Sequence, residues 1–445
     1  MAQIRLNEKQ QEAVEHKEGP LLIIAGAGTG KTSVITQRVI HIMKSKWAQP
    51  SEILALTFTE KAAEEMVERI DIEMEYGYEE PWVSTFHAFC DRVLHNDGHY
   101  IGLDTNYSLM TQAQSYIFMR KHIFDFPLDI FRPQGNPTQF INDLIKHFSR
   151  LQDEDCSPED YLEFVKQLPQ KTEEEKQRYQ ELKELAETYK MYSEFKIEES
   201  KLDFGDLINL TLKLFRDRPS VLRKYQDKFK YILVDEFQDT NYTQNVLVNT
   251  LVLGKDYKNE RGLPRNLTVV GDDDQAIYKF RGAAISNILQ FKERYPDAKE
   301  IVLTQNYRSR QEILDSAYRL IKHNDPHRLE VTEKINKRLI ASKAFDEDDK
   351  DAVNLVVAGN DNAEAEWIAE EILNLTGHKD IEAESEGSIT FDESGQSTLL
   401  DRENESKYTF SDFAILTRSN AQADIFIQTL RYYGIPYKLG GQRGL

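Results

Sequence analysis

The stretch AGAGTGKT, residues 25–32, has residue types and a spacing that suit phosphate binding. A glycine-rich loop that opens a helix points backbone N–H groups at phosphate oxygens, and the helix N-terminus adds favourable partial charge. In this pattern Lys31 reaches the β- and γ-phosphates, and the Thr32 hydroxyl binds Mg²⁺. Alanine in place of the first glycine requires only ordinary backbone angles, as at a strand end. The stretch predicts a nucleoside triphosphate site lined by Ala25, Gly26, Ala27, Gly28, Thr29, Gly30, Lys31, Thr32 and Ser33.

Two adjacent carboxylates follow four apolar residues in YILVDEFQDT, residues 231–240. A site that hydrolyses a nucleoside triphosphate needs a carboxylate for the metal and a base for the attacking water. We expect Asp235 to hold the Mg²⁺ through water and Glu236 to orient or deprotonate the attacking water. Together with the phosphate loop, this pair predicts triphosphate hydrolysis and not binding alone.

Short apolar runs that end in polar residues recur along the chain and alternate with helical patterns. Such runs are typical of a parallel sheet buried on both faces, with the chemistry at the carboxyl ends of the strands. We expect strands in LLIIA (21–25), EILALTFT (52–59), KYILVDEF (230–237), NLTVVGDD (266–273) and EIVLTQNY (300–307).

Between about 105 and 200 this alternation stops, and the sequence becomes helical and charged. We interpret residues 105–200 as a helical subdomain inserted into a first α/β domain formed by residues 1–104 and 201–298. Its stretch rich in glutamate and lysine lacks sustained heptads, which favours a solvated helix over a coiled coil.

Residues 299–445 are predicted to form a second α/β domain. We expect strands in AVNLVVAG (352–359) and FSDFAILTRS (410–419), each followed by a helix. The strongly acidic segment 376–409 has little apolar periodicity and is interpreted as a flexible insertion.

The composition is that of a globular protein, with 40% hydrophobic and 30% charged residues among 445. A net charge of −20 argues against a protein coated in basic surface, although a local groove could still bind nucleic acid. The sequence has no apolar run of about eighteen residues or more, and its first residues lack a secretory signal. We therefore expect a cytoplasmic protein without membrane contacts. Cys90 and Cys156 lack metal-ligand spacing and fit a reducing compartment.

Seven motifs in order resemble those of superfamily 1 helicases of the UvrD/Rep/PcrA type, in which alanine is the usual first residue of the phosphate loop. The resemblance implies an ATP- and Mg²⁺-dependent motor that moves 3′ to 5′ on single-stranded or partial-duplex DNA in repair or replication. The motifs are LNEKQQEAV (6–14), AGAGTGKT (25–32), LTFTEKAAEEM (56–66), VSTFHAFC (83–90), DEFQDT (235–240), VVGDDDQAIYKFRGA (269–283) and LTQNYRS (303–309).

The resemblance also implies roles for individual residues around ATP. Gln10 would read the adenine edge, and Tyr307 would stack on the adenine. Gln275 would sense the γ-phosphate and couple it to DNA. Arg308 would contact the γ-phosphate from a second domain, which would stabilise transition-state charge and link nucleotide state to domain closure. Many relatives carry an arginine at the position of Ser33, so adenine stacking is expected on one side only.

For the DNA strand, the resemblance implies a set of stacking and pinning side chains. Base stacking on aromatic rings tolerates any sequence, as a translocating motor requires. The expected contacts are Phe58, Thr59, Lys61, Thr85, His87, Phe204, Tyr278, Phe280 and Arg281, with Phe280 at a place often held by tryptophan.

The resemblance has a gap at the end of the chain. After YYGIPYKLGGQRGL (432–445) nothing matches the family's second inserted helical domain or its last two motifs, one of which carries a second arginine finger. The fold expected is therefore α/β, with two RecA-like P-loop domains built on parallel sheets, a helical subdomain inserted in the first and an incomplete, apparently truncated second. Two alternatives to a working helicase stay open. One is an ATP-responsive single-stranded DNA-binding fragment or subunit with little turnover, and the other is the N-terminal part of a RecB- or AddA-like helicase–nuclease.

Overall fold

The computed structural model describes residues 6–253, 266–276, 286–342, 352–378 and 408–440. Of the predicted DNA contacts, Tyr278, Phe280 and Arg281 lie outside these ranges, as does most of the acidic segment. The described strands are β1 Leu21–Ala25, β2 Ile53–Thr57, β3 Trp82–Thr85, β4 Ser108–Leu109, β5 Lys201–Leu202, β6 Tyr231–Val234, β7 Asn266–Gly271, β8 Lys299–Leu303, β9 Gln305–Asn306 and β10 Ile340–Ala341.

Sixteen helices accompany these strands in the described ranges. None of them is both long enough and apolar enough to cross a bilayer. They are α1 Glu8–Glu15, α2 Lys31–Lys44, α3 Glu60–Glu73, α4 Phe86–Asp97, α5 Gln112–Lys121, α6 Ile141–Asp153, α7 Pro158–Lys166, α8 Glu173–Glu198, α9 Phe204–Asp217, α10 Pro219–Lys228, α11 Tyr242–Leu253, α12 Ser286–Arg294, α13 Gln311–Ile321, α14 Leu329–Thr332, α15 Asp361–Leu375 and α16 Asn420–Tyr432.

A six-stranded parallel sheet in the order β3-β2-β6-β7-β1-β8 forms the centre of the larger part of the chain. This confirms the predicted α/β class and the strands expected from the apolar runs. Side chains of β1 alternate between two apolar cores. Leu22 and Ile24 face one core, whereas Leu21, Ile23 and Ala25 face the other. Both faces are therefore covered by helices, as the uninterrupted apolar runs required.

The helical insertion is present and has a core of its own. Helices α5 to α8 pack around buried aromatic and aliphatic side chains that include Phe118, Phe148 and Tyr192. The chain enters and leaves this region through β4 and β5, which pair in parallel and so bring the two connections together. The bounds 105 and 200 stay predictions.

The chain divides into two compact units, the first ending at Ala352 and the second starting at Val353. Strand β8 begins at Lys299, where we expected the second domain to begin, yet it pairs with β1 as the edge of the first sheet. The strand then continues through β9, which pairs with β10. Residues 299–342 therefore lie in the first unit.

The second unit contains the two predicted helices, α15 and α16, which pack together around Ala369, Leu373 and Leu430. The two predicted strands, 352–359 and 410–419, were wrong, since the described residues of the second unit form no strand. A strand needs a hydrogen-bonding neighbour. Leu355, Val357 and Leu416 are exposed, whereas Phe413 and Ile415 pack against the helices instead of covering a sheet. The expected second parallel sheet is therefore not formed by the described residues.

Candidate active site

The phosphate loop connects the buried end of β1 to the first turn of α2. Gly28 and Gly30 have φ angles of 74° and 84°, in the left-handed region that favours glycine. The Thr29 hydroxyl donates to the Gly26 carbonyl at 2.8 Å, which closes the loop from within. Ala25 is fully buried and pairs in register with Leu303, so the residue that departs from the common pattern is an ordinary strand residue. The loop thus presents the N-terminus of a 14-residue helix.

Three predicted catalytic side chains meet beyond this loop. The Lys31 ammonium lies 2.7 Å from Glu236 Oε2 and 3.0 Å from Gln275 Oε1. These residues come from the start of α2, from the turn after β6 and from the turn after β7. Glu236 has a φ of 47°, which costs a non-glycine residue about 1–3 kcal/mol and is characteristic of functional sites. In this backbone conformation the Glu236 carboxylate faces Lys31.

Thr32 and Asp235 form an oxygen pair beside the lysine. The Thr32 hydroxyl donates to Asp235 Oδ2 at 3.2 Å, and the other carboxylate oxygen accepts from the Glu236 N–H at 2.9 Å. Burial, and next the nearby charge of Glu236, raise the pKa of Asp235 to about 6. A hydroxyl and a carboxylate are ligands that hard divalent cations prefer, and a cation would also offset the cost of burying this charge. The donor set therefore fits a metal ion.

The predicted adenine-reading residues lie against the same loop. Gln10 is buried and donates from Nε2 to the Thr29 carbonyl at 2.9 Å, while its Oε1 completes a capping box with Asn7. The Tyr307 N–H donates to the Gly28 carbonyl at 2.8 Å, and its hydroxyl accepts from Asn7 Nδ2 at 2.7 Å. Gln10 and Tyr307 are thus brought together through Asn7, which the sequence analysis did not single out.

Arg308 lies next to the loop because Asn306 fixes the turn that carries it. Asn306 Nδ2 donates to the Ala27 carbonyl at 2.6 Å, and its Oδ1 accepts from the N–H groups of Arg308 and Ser309 at 2.9 and 2.7 Å. The Arg308 side chain is exposed and belongs to the same compact unit as the phosphate loop. Asn306 was missed by the sequence analysis, although it stands inside the quoted motif LTQNYRS.

Gln238 is a second residue that sequence reasoning missed. Its side chain is buried, and its Nε2 donates to Glu236 Oε2 at 2.8 Å, while its Oε1 accepts from the Asp272 N–H at 3.1 Å. A Cβ on Gly271 would lie 2.6 Å from this Oε1, so the close approach requires glycine. The signal was the position of Gln238 two residues after Glu236, in DEFQDT.

The expected DNA contacts that the structure describes lie at strand ends or helix starts. Thr59 and Thr85 cap α3 and α4 through their hydroxyls, each accepting a backbone N–H at 3.2 Å. The His87 and Phe204 rings meet edge to face at 5.7 Å, and burial lowers the pKa of His87, which favours the neutral ring. Phe204 is 49% exposed and so free to stack on another ring. Of the others, Phe58 is half-buried and Lys61 is exposed.

Ser33, where the resemblance implies an arginine in many relatives, accepts a hydrogen bond from Arg69 Nη1 at 3.2 Å. Arg69 belongs to α3, so an arginine reaches this end of the loop from a neighbouring helix. The site as a whole occupies the carboxyl edge of the parallel sheet, because the loops after β1, β2, β3, β6 and β7 all contribute to it.

Comparison with known proteins supports this assembly. Residues 6–296 match the family described as UvrD/REP helicase N-terminal domain, and residues 301–445 match the UvrD-like helicase C-terminal domain. The chain is 36% identical over 438 residues to a protein of Leuconostoc citreum named ATP-dependent DNA helicase PcrA, covering 98% of this chain and 50% of that protein. The protein of the same name from Bacillus subtilis is 35% identical over 439 residues, with 98% and 50% coverage. The chain thus spans about half the length of the curated relatives it matches.

Proposed function

Because the chain belongs to the UvrD/REP helicase family, we propose that it is the ATP-hydrolysing part of an ATP-dependent DNA helicase. ATP would bind at the phosphate loop, and its hydrolysis would drive movement along single-stranded DNA. The observation that carries the proposal is the meeting of Lys31, Glu236 and Gln275 beside the Thr32–Asp235 pair.

The chain's own residues divide the chemistry between them. Lys31 binds the β- and γ-phosphates, and the backbone N–H groups of the loop bind their remaining oxygens. Glu236 accepts a proton from, or orients, the water that attacks the γ-phosphate, and Gln238 holds the carboxylate of Glu236 in place. Arg308 adds positive charge at the γ-phosphate, which stabilises the transition state.

Thr32 and Asp235 would hold a Mg²⁺ ion, which would supply charge neutralisation for the phosphates when bound. This assignment agrees with the raised pKa of Asp235, since a buried carboxylate is stabilised by a bound cation. Gln10 and Tyr307 would bind the adenine, which makes ATP the expected nucleotide.

Single-stranded or partial-duplex DNA is the proposed substrate. Phe204, with His87 against its edge, offers an exposed ring for base stacking next to the carboxyl edge of the sheet. Movement from 3′ to 5′, a role in repair or replication and a cytoplasmic location are parts of the same proposal that rest on the family.

The proposal is tested by the steady-state ATPase rate of residues 1–445, measured with increasing concentrations of a single-stranded oligonucleotide. We expect a rate that rises with DNA and saturates, and no rate above background for Lys31→Ala. A chain that binds ATP and DNA but hydrolyses no ATP under either condition would instead support the reading as a nucleotide-responsive DNA-binding module, and the proposed activity would be wrong.

A further inference from the structure

Three consecutive carboxylates follow β7 and pair with two buried cations from a later part of the first unit. The Lys337 ammonium lies 2.6 Å from Asp272 Oδ1 and 3.0 Å from Asp274 Oδ2, and it also contacts Asp273. Arg328 binds Asp274 with two hydrogen bonds of 2.8 Å. Lys337 and Arg328 are 7% and 4% exposed, so both ion pairs are shielded from water.

The three carboxylates lie close enough together to hold a metal ion. The Lys337 ammonium, however, already contacts all three of them, and Arg328 adds a second positive charge at Asp274. The cluster is therefore an internal ion network that fixes the carboxylates in place.

Asp272 connects this network to the catalytic residues through its second carboxylate oxygen. While Oδ1 faces Lys337, Oδ2 accepts a hydrogen bond of 2.7 Å from the Nε2 of Gln275. The amide of Gln275 has a donor end and an acceptor end. With the donor end held by Asp272, the acceptor end faces Lys31 Nζ at 3.0 Å. Asp272 and Lys31 therefore determine which way the Gln275 amide points, and Lys337 contacts the other oxygen of the Asp272 carboxylate.

The same aspartate is also linked to the proposed base. The Asp272 N–H donates to Gln238, and Gln238 donates to Glu236. A shift of Asp272 would thus move both the γ-phosphate sensor and the residue that holds Glu236. Arg328 does not contact Asp272, because its partners are Asp274, Glu330 and Asp325.

The segment that carries Lys337 continues directly to the phosphate loop. A Cβ on Gly26 would lie 2.9 Å from the side chain of Leu339, and β10 pairs with β9, which contains Asn306. Lys337 is therefore fixed at a point where the segment contacts the loop on one side and the turn after β7 on the other.

We propose that Lys337 is a positioning residue for ATP turnover, which holds Asp272 so that Gln275 and Glu236 keep their geometry around the γ-phosphate. The inference rests on the proposed function and assigns a role to a residue outside the nucleotide-binding motifs. Removing the ammonium leaves the buried carboxylates of Asp272 and Asp273 without the cation they contact, and Asp272 then loses the contact that holds its Oδ1. A small displacement of catalytic groups slows the chemical step more than it weakens binding.

The test compares Lys337→Met with Arg328→Met, a matched control that breaks a buried ion network but not the contact with Asp272. Both are expected to lower the thermal midpoint. Only Lys337→Met is expected to lower kcat, by about 10-fold to 100-fold. The KM for ATP should change much less. Lys337→Arg is expected to restore part of kcat. If Lys337→Met does not fold, the pair Lys337→Gln with Asp273→Asn removes one charge of each sign and takes its place.

Combination with Gln275→Ala decides whether Lys337 acts through Gln275. Because Lys337 also reaches Glu236 through Asp272 and Gln238, we expect the double variant to lose less kcat than the product of the two single losses, since groups that act together are not additive. Additive losses, or equal losses of kcat in Lys337→Met and Arg328→Met, would overturn the inference.

A readout without turnover separates this inference from the proposed function. If the unmodified chain hydrolyses no ATP, the proposed function fails, and the ratio of ATPγS affinity to ADP affinity then tests Lys337. Lys337→Met is expected to lower that ratio modestly, because a displaced Gln275 no longer orients the Lys31 ammonium that binds the γ-phosphate. An unchanged ratio would show that Lys337 has no influence on the site.

Discussion

At the scale of single residues, the site depends on backbone conformations that few residue types adopt. Gly28 is left-handed, and a Cβ at this position would lie 2.5 Å from Asn306 Nδ2 and 2.9 Å from Arg308 Cβ. Glycine at this position therefore does two things. It allows the loop to turn, and it leaves room for the segment that brings Arg308 to the loop.

Substitution of Gly28 by alanine should show these two contributions separately. Gly77 is the control, since its φ of 86° is equally left-handed and nothing lies within 4 Å of an added Cβ. Gly77→Ala should cost about 1–2 kcal/mol of unfolding free energy from backbone strain alone. Gly28→Ala should cost more and should also weaken ATP binding, measured by titration calorimetry. Equal stabilities and equal ATP affinities of the two variants would contradict the close packing over the loop.

The residue roles that could be predicted were those with a fixed place in a motif. Lys31, Thr32, Asp235 and Glu236 have positions that phosphate and metal chemistry dictates, and the structure brings them together. Gln238, Asn306 and Lys337 were not predicted, because each also binds a residue distant in sequence, and a polar residue type alone does not reveal that partner. The predicted contacts at Tyr278, Phe280 and Arg281 stay predictions.

At the scale of elements, a cluster of buried polar side chains connects the helical insertion to α9, which carries Phe204 at its start. Lys196 of α8 contacts Asp206 at 2.6 Å, and Gln152 of α6 donates to both Asp206 and Asp203. Asp203 caps α9, accepting the Asp206 N–H at 3.0 Å. The start of α9, which carries Phe204, is thus held by contacts from two helices of the insertion.

Asp206 in this polar cluster should make the free energy of unfolding depend on pH. Burial, and next the charge of Asp203, raise the pKa of Asp206 from 3.8 to about 7. Between these values the folded chain holds a proton that the unfolded chain has released, so this group makes stability fall as pH rises. Asp206→Asn cannot titrate and should lack that fall. Urea unfolding at several pH values from 4 to 8 measures the difference, and parallel curves for the two proteins would contradict the assignment.

The ring at the start of α9 should contribute to DNA binding and not to ATP binding. Phe204→Ala is expected to weaken binding of a labelled single-stranded oligonucleotide by about 1–3 kcal/mol, the value of one base stacked on an aromatic ring. Phe164 on α7 is the matched control, with 53% exposure against 49% for Phe204. Fluorescence anisotropy gives both affinities. Equal losses of DNA affinity in Phe204→Ala and Phe164→Ala would show that Phe204 does not bind DNA.

At the scale of the whole molecule, the parallel sheet gathers residues from distant parts of the chain at one edge. The class of fold and most strands of the first sheet could be predicted, since strands buried on both faces are continuous apolar runs. The strand order could not, because apolar runs do not specify their neighbours. The two strands predicted in the second unit failed for the same reason: an apolar run forms a strand only when a partner pairs with it.

A single-turnover experiment tests whether the carboxyl edge of the parallel sheet hydrolyses ATP through Glu236. A preformed complex of the chain with ATP and single-stranded DNA is quenched at increasing times, and Glu236→Gln is compared with Glu52→Gln, which loses an ion pair with Lys230 and keeps an oxygen for the hydrogen bond from the Gln49 N–H. We expect Glu236→Gln to bind ATP as well as the unmodified chain but to hydrolyse it at least about 100-fold more slowly, whereas Glu52→Gln is unaffected. Hydrolysis by Glu236→Gln at the rate of the unmodified chain would contradict the proposed role of Glu236.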